Sequence, residues 1–446
     1  MKQNNFLYLL NDALQNQNIQ LALDSVKTFK AVDLADILSQ LPLDSAQLLL
    51  INLPQRAYVF SYLAPEVQVK IGNGLSRADL AEIIGEMSSD KRADVFKQLD
   101  LEQQNALWPA LAQAEREDIR QLAQHAEGTA GAIMSSEYAM LTAELNVAEA
   151  IQMLRFEAPD TETIYVAYVV DQARKLLGVV SLKQLILASE DTLIRDLMTT
   201  DIIFVTTDTD NDQVAKIISR YDLLALPIID EQGTMVGIVT YDDAMDVARD
   251  EATEDFLKSS AVNASSKLSI KTAPIFQLYK KRVFWLVVLV FGSLLSGIGI
   301  AHFEGIISKN IVLVFFLPLL VGSGGNAGAQ SATLMVRALA TGDVVAKDWV
   351  FLMLKETLVA LTLGLTMAAA VSILGFYRGG EMVALVLALS MMGIVLLGCL
   401  IGTSLPFILN LLKLDPASAS APLVTSICDA TGVLVYLYIA SQLLSL

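Results

Sequence analysis

Asp429 is an acidic residue in an apolar setting. It lies inside 416–446, a stretch otherwise free of charge. An ionised carboxylate within a bilayer costs roughly 2.5–3.5 kcal/mol on insertion scales, so something must offset it. A hydrogen bond to a neighbouring helix would, and so would a cation in a wet cavity that the carboxylate lines. A second polar feature in apolar surroundings is Gly322-Ser-Gly-Gly-Asn-Ala-Gly-Ala-Gln330. So many glycines point to irregular backbone, which survives at membrane depth only inside protein or along a cavity. Free carbonyls there, with the Asn326 and Gln330 amides, would be oxygen donors for a hard cation. Close packing through small residues is the competing explanation. No Lys-Ser or Lys-Thr follows the glycines, which excludes a phosphate-binding loop.

Acidic residues form a second constellation. Asp243 and Asp246 are three apart on one helix face, and Glu251, Glu254 and Asp255 repeat the pattern further on. Asp222 follows a helix, Asp210 and Asp212 sit in a polar turn, and Asp90 and Asp94 are four apart. Charge runs of this kind are usually solvated faces. Yet two carboxylates about 6 Å apart repel by roughly 3 kcal/mol at an effective dielectric of about 20. Several such pairs across an interface would open it unless divalent ions bridged them.

The elements that carry these residues follow from composition. Of 446 residues, 54% are hydrophobic and 18% charged, against roughly 25% charged in an ordinary soluble domain. Of the 31 Lys and Arg and 48 Asp and Glu, 10 and 7 lie beyond residue 270, leaving 21 and 41 before it. The front is therefore strongly acidic, with net charge −20, and the rear nearly neutral, at +3. Such acidity excludes non-specific nucleic-acid binding and invites cations. Cys399 and Cys428 form no disulfide framework, and two His, His125 and His302, disfavour a histidine-built site. The first apolar run, Phe6-Leu-Tyr-Leu-Leu10, is too short for a signal peptide, so the acidic part should stay in the cytoplasm.

Residues 1–128 read as an all-α domain. Asp33-Leu-Ala-Asp-Ile-Leu38 returns 46 residues later as Asp79-Leu-Ala-Glu-Ile-Ile84, a period that fits stacked helix pairs in a superhelix. Residues 129–252 repeat more clearly. Tyr168-Val-Val-Asp171 and Leu177-Gly-Val-Val-Ser181 return 59 residues on as Pro227-Ile-Ile-Asp230 and Val236-Gly-Ile-Val-Thr240. Ile133-Met-Ser-Ser136 returns as Leu197-Met-Thr-Thr200. Each copy has a lead-in, a helix, two short β-rich runs and a closing helix. This resembles a tandem pair of cystathionine-β-synthase (CBS) domains, an α/β regulatory module.

Residues 253–280 form a connecting helix and linker, and 281–446 a membrane domain. Charge-free stretches run over 283–301, 310–336, 357–377 and 382–412, and the last, 416–446, carries only Asp429. About 20 apolar residues cross a bilayer, which gives five transmembrane helices. Lys280, Lys281, Arg282, Arg337, Lys347, Lys355 and Lys413 fall on one side, Lys309 and Arg378 on the other. The richer side should be cytoplasmic, which places the N-terminus inside and the C-terminus outside the plasma (inner) membrane.

Pro318-Leu-Leu-Val-Gly-Ser-Gly-Gly-Asn-Ala-Gly-Ala-Gln-Ser-Ala-Thr333, then Arg337-Ala-Leu-Ala-Thr-Gly342, resembles the second-helix signature of the MgtE magnesium transporter family. Asp415-Pro-Ala417 and Pro422-Leu-Val-Thr-Ser-Ile-Cys-Asp-Ala-Thr-Gly432 resemble its last-helix signature. Tyr221-Asp-Leu-Leu-Ala-Leu-Pro227 and Glu251-Ala-Thr-Glu-Asp255 resemble its second CBS domain and connecting helix. The resemblance implies a homodimeric, Mg²⁺-selective channel or transporter rather than an enzyme. It implies a cytoplasmic Mg²⁺ sensor made of the helical and CBS domains, and a connecting helix that plugs the pore. By motif it makes Asp429 the pore ligand, with Gly322, Asn326, Thr425 and Gly432 nearby, and Asp415 a ligand at the membrane face. Some members bind ATP in the CBS pair, where a Ser or Thr with an Asp three residues later holds ribose. The second repeat keeps Thr240 and Asp243, whereas the first departs from the pattern with Ser181 and Gln184. Transport of Mn²⁺ or Co²⁺ is the alternative, but such sites more often recruit His or Cys than oxygen ligands alone.

Overall fold

A computed structural model describes residues 2–158, 161–262 and 273–444. The chain divides into two compact units, Met1–Arg249 and Asp250–Leu446. The protein is multidomain: a helical N-terminal domain, a CBS pair with small sheets, and a C-terminal region of apolar helices.

The first unit opens with short helices from Lys2–Gln15 to Gln113–Ala123. The helix pair Ala31–Gln40 and Leu43–Asn52 returns as Arg77–Gly85 and Ser89–Gln98, so the 46-residue sequence period is a structural period too. Helices pack on the second helix along, as in Ala31–Gln40 on Arg56–Ser61 and Arg56–Ser61 on Arg77–Gly85. This is the neighbour-only stacking of a solenoid. Leu34, Leu38, Leu49, Leu50, Phe60, Ile83 and Ile84 run through its core.

Two three-stranded sheets follow, β1 (Tyr138–Leu141), β2 (Thr163–Val170) and β3 (Leu176–Ser181), then β4 (Val205–Thr206), β5 (Ala225–Ile229) and β6 (Met235–Thr240). In each, the first strand is parallel to the second and the second antiparallel to the third. The copies interlock. The lead-in residue Ser135 pairs with Ile238 of the second repeat, and Thr199, leading into the second, pairs with Val179 of the first. Lys175 bridges Thr234, its own equivalent 59 residues on. Self-pairing of equivalent positions is what a pseudo-two-fold axis between the repeats produces. Tyr138, Tyr168, Met235 and Ile238 fill the seam.

The helix Tyr241–Ser259 carries the boundary between the units. The linker expected to follow it lies mostly outside the described residues. Pro274, expected to break a helix, stands at the N-cap of Ile275–His302, where its missing N–H costs nothing. Among the described residues, four helices are long and apolar enough to cross a membrane: Ile275–His302, Val312–Ala340, Trp349–Leu411 and Ala421–Leu444. The third has 63 residues, about 95 Å at ~1.5 Å per residue, three times a ~30 Å hydrocarbon core. It is two spans. Gly380, at φ 79° and ψ −172°, is not helical, and only glycine adopts that region without strain. The two arms fold back on each other. Gly375 lies against Ala384, Gly364 against Met392, and the Ser404 hydroxyl reaches the Met353 sulfur at 3.4 Å. Among the described residues, four continuous helices with one hairpin therefore give five apolar spans.

Candidate functional site

The glycine-rich segment corrects one expectation. Gly322–Gln330 is not irregular: Val312–Ala340 is one helix through it. Its glycines serve packing. Gly324 and Gly328, four apart, meet Gly398 and Gly402, also four apart, on the fourth span. A Cβ on Gly398 would stand 2.5 Å from the Gly324 carbonyl oxygen, and one on Gly402 would collide with that of Gly328. This is crossed small-xxx-small packing, in which bare backbone lets two helices touch. With the carbonyls used by the helix, the polar side chains become the donors. Gly322, Asn326 and Gln330 recur every four residues, and the Asn326 and Gln330 side chains are exposed. A Cβ on Gly322 would meet nothing within 4 Å.

Asp429 is the ninth residue of Ala421–Leu444 and is half-buried. Gly325 makes room for it. A Cβ there would stand 3.3 Å from Asp429 Oδ1 and 2.9 Å from Thr425 Cγ2. Gly325 is thus a site residue that spacing alone did not single out. Thr425 is one turn before Asp429, and Gly432, packed on Ile394, is three residues after. The structure therefore brings Asp429 and Thr425 against the glycine-rich helix. It also reveals a second carboxylate in a helix seam. The buried Ser331 hydroxyl donates to Glu356 Oε1 at 2.6 Å. Glu356 escaped notice because the charge-free stretch begins one residue later.

The acids of the first unit do not all converge. Asp210 caps the helix Asn211–Tyr221 by accepting from Asp212 N. Asp212 stands in the first turn of that helix, not in a turn, and pairs with Lys216 at 2.5 Å. Asp222 closes the same helix in the left-handed conformation, φ 52°. Asp246 is exposed and pairs with Arg249 at 3.2 Å. Asp90 and Asp243, far apart in sequence, are brought together by Lys91. Its ammonium lies 2.7 Å from Asp243 Oδ1 and 3.4 Å from Asp90 Oδ2. Thr240 donates to the other Asp243 oxygen at 2.6 Å, and Asp90 Oδ1 is buried without a partner. Burial disfavours the charged lysine, but Asp90 and Asp243 outweigh it and hold the pKa above its ordinary value. Burial and then Asp90 raise Asp243. Burial, Asp90, Asp243, Glu137 and Asp242 push Glu162, on the rim of the cluster, up to about 7. Asp94 rises to about 6, chiefly by burial.

Arg92 pins the same joint. It is buried, donates to the Ile84 and Met87 carbonyls, and pairs with Asp118 and Glu137, each at 3.1 Å. Ser89 and Ser135 hydroxyls meet at 3.1 Å beside it.

In the second unit, Glu251, Glu254 and Asp255 lie on the Tyr241–Ser259 helix. Lys258 bridges Glu254 at 3.1 Å and Asp415 at 2.7 Å, while Asp415 Oδ1 accepts from Ala417 N. Among the described residues no three acidic, sulfur or imidazole side chains converge tightly enough to hold an ion by themselves. The paired acids instead present isolated oxygens and one buried unpartnered one, a donor set that suits a hard, partly hydrated cation.

Residues 317–439 match the MgtE divalent cation transporter family, 29–128 the MgtE intracellular N domain, and 130–191 and 194–250 the CBS domain. The chain is 37% identical over 440 residues to a magnesium transporter MgtE of Thermus thermophilus, covering 98% of each. It is 35% identical to one from Enterococcus faecalis over 73% of this chain and 71% of that one. Among solved structures, the soluble part of a magnesium transporter aligns with 56% of this chain and 99% of its own, at 32% identity and TM-score 0.52. The cytosolic domain of the Mg²⁺ channel MgtE in complex with ATP aligns with 54% and 99%, at 35% identity and TM-score 0.52. This chain belongs to the MgtE family of divalent cation transporters.

Proposed function

We propose that the chain moves Mg²⁺ across the plasma membrane, and that Asp429 holds the ion in the path. The observation that carries this reading is the placement of Asp429 and Thr425 against Gly325, on a helix whose Asn326 and Gln330 present amide oxygens. Mg²⁺ dehydrates reluctantly and takes one or two carboxylates through or beside water. In a homodimer a two-fold axis would bring two Asp429 carboxylates to one path, and closed two-fold symmetry is the commonest. The helix Ile275–His302, almost wholly unburied within the single chain, leaves a broad face for lipid or a partner subunit. The helical and CBS domains and the connecting helix lie in the cytoplasm, with the C-terminus outside.

Cytoplasmic Mg²⁺ closes the path by binding acids of the helical domain, the CBS pair and the Tyr241–Ser259 helix. Repulsion opens these interfaces when ions leave. Uptake by proteoliposomes across Mg²⁺, Mn²⁺, Co²⁺ and Ca²⁺ tests the substrate. Mg²⁺ uptake that Asp429→Ala removes supports the reading, and uptake restricted to Mn²⁺ or Co²⁺ overturns it.

A further inference from the structure

Acidic residues stop abruptly where the chain meets the membrane. Between Asp255 and Glu304 the sequence has none. The helix Ile275–His302 lies in this interval, and Lys280, Lys281 and Arg282 follow one another near its start. Among the described residues, no carboxylate stands within ion-pair distance of any of the three. Phe276, Tyr279 and Phe284 around them are exposed, as is most of the helix beyond.

Packing sets their depth. Gly292 lies against Ser426, and Gly299 against Val433 and Leu434. Both sides of this contact advance by the same number of residues, so the first and last membrane helices run parallel and in step. Arg282 therefore stands level with the turn Pro416–Ser418 that precedes the last helix. The acid that opens that turn, Asp415, already has Lys258 at 2.7 Å. Beyond Arg282, residues 283–301 carry no charge. They make about 28 Å of helix, which fills a ~30 Å hydrocarbon core. The three cations thus stand at the edge of that core, in the headgroup layer, with aromatic rings on either side. Topology asks only for positive charge on this end of the bundle. Three adjacent cations on an outward-facing helix, with no protein acid among them, also ask for an anion.

We propose that Lys280, Lys281 and Arg282 bind the phosphate headgroups of anionic phospholipid in the cytoplasmic leaflet. Phe276, Tyr279 and Phe284 pack along the glycerol and upper acyl region of the same lipid. Each cation near an anionic surface strengthens binding roughly fivefold. Zwitterionic lipid does not substitute, because its headgroup carries a cation of its own. The inference goes beyond the transport reading and takes from it only the cytoplasmic placement of this end. The bound lipid anchors the point where the chain passes from the cytoplasmic domains into the first span.

The test is native mass spectrometry of the full-length protein in Mg²⁺-free detergent solution. It is titrated with phosphatidylglycerol or with phosphatidylcholine of the same acyl chains. The native protein should hold phosphatidylglycerol at least about tenfold more tightly, and raising the ammonium acetate concentration should erode that preference. Inorganic phosphate at the same concentration as the lipid should not displace it. Lys280→Gln with Lys281→Gln, which leaves Arg282 to hold the topology, should weaken phosphatidylglycerol binding at least about tenfold. Lys309→Gln with Arg378→Gln, at the other end of the bundle, should leave it unchanged. Four results each overturn the proposal: equal retention of the two lipids by the native protein, displacement by phosphate alone, full retention by the first double variant, and an equal loss in the second. The comparison of lipids on native protein decides the matter even where a variant fails to insert. Mg²⁺ flux plays no part in the readout, so failure of the transport reading would show separately, in the uptake assay.

Discussion

At the scale of residues, charge is decisive where water is scarce. Asp429→Ala removes the carboxylate from beside Gly325 while leaving the helix Ala421–Leu444 its apolar contacts. Mg²⁺ flux should fall by at least about a hundredfold, roughly 2.7 kcal/mol, with monodisperse protein retained on gel filtration. Gly325→Ala should also cut flux, because its Cβ would press on Thr425 and Asp429. Normal flux in that variant would mean that the seam is not the ion path. A pH effect belongs here too. Glu162 has a folded pKa of about 7 against an ordinary value of 4.5. The folded state therefore holds its proton across that window while the unfolded chain has released it. The stability that follows is complete below about 4.5 and lost as pH rises through about 7. In Mg²⁺-free buffer the first unit should melt higher at acidic than at alkaline pH. Glu162→Gln should flatten that dependence.

At the scale of elements, glycine does two different jobs in the membrane region. Gly380 turns a 63-residue apolar run into a hairpin by taking φ 79°. Gly380→Val should strain the turn by about 1–3 kcal/mol, seen as a lower detergent melting midpoint. Gly324, Gly328, Gly398 and Gly402 instead bring two helices into backbone contact. Composition alone could not separate these roles, since a glycine-rich stretch reads equally as irregular backbone or as a packing seam. The repeats were legible for a plainer reason. Periods of 46 and 59 residues are each one structural unit that buries its apolar face on the next. Asp90, Asp243 and Asp415 stood out as acids, but their partners did not. Lys91 reaches Asp243 across 152 residues, and Lys258 reaches Asp415 across 157. No local pattern announces such a pair, and Glu356 with Ser331 was hidden in the same way.

At the scale of the molecule, an acidic front and an apolar rear are joined through one helix that bears Asp243, Asp246, Glu251, Glu254 and Asp255. In the gating account the front senses ions and the rear conducts them. Deleting residues 1–270 should leave a path that no longer shuts at high cytoplasmic Mg²⁺, since sensor and plug are both gone. Neutralising Asp246, Glu251 and Glu254 together should flatten the Mg²⁺ response. Several ions binding together give a response its steepness, and amides remove both the repulsion and the bridging. The most direct measurement of the central claim is current through full-length protein in an excised patch, with Mg²⁺ as charge carrier and cytoplasmic Mg²⁺ stepped upward. The account predicts Mg²⁺ currents that shut steeply as cytoplasmic Mg²⁺ rises and that are missing in Asp429→Ala. Currents that persist unchanged at high cytoplasmic Mg²⁺, or an Asp429→Ala current equal to the native one, would contradict it.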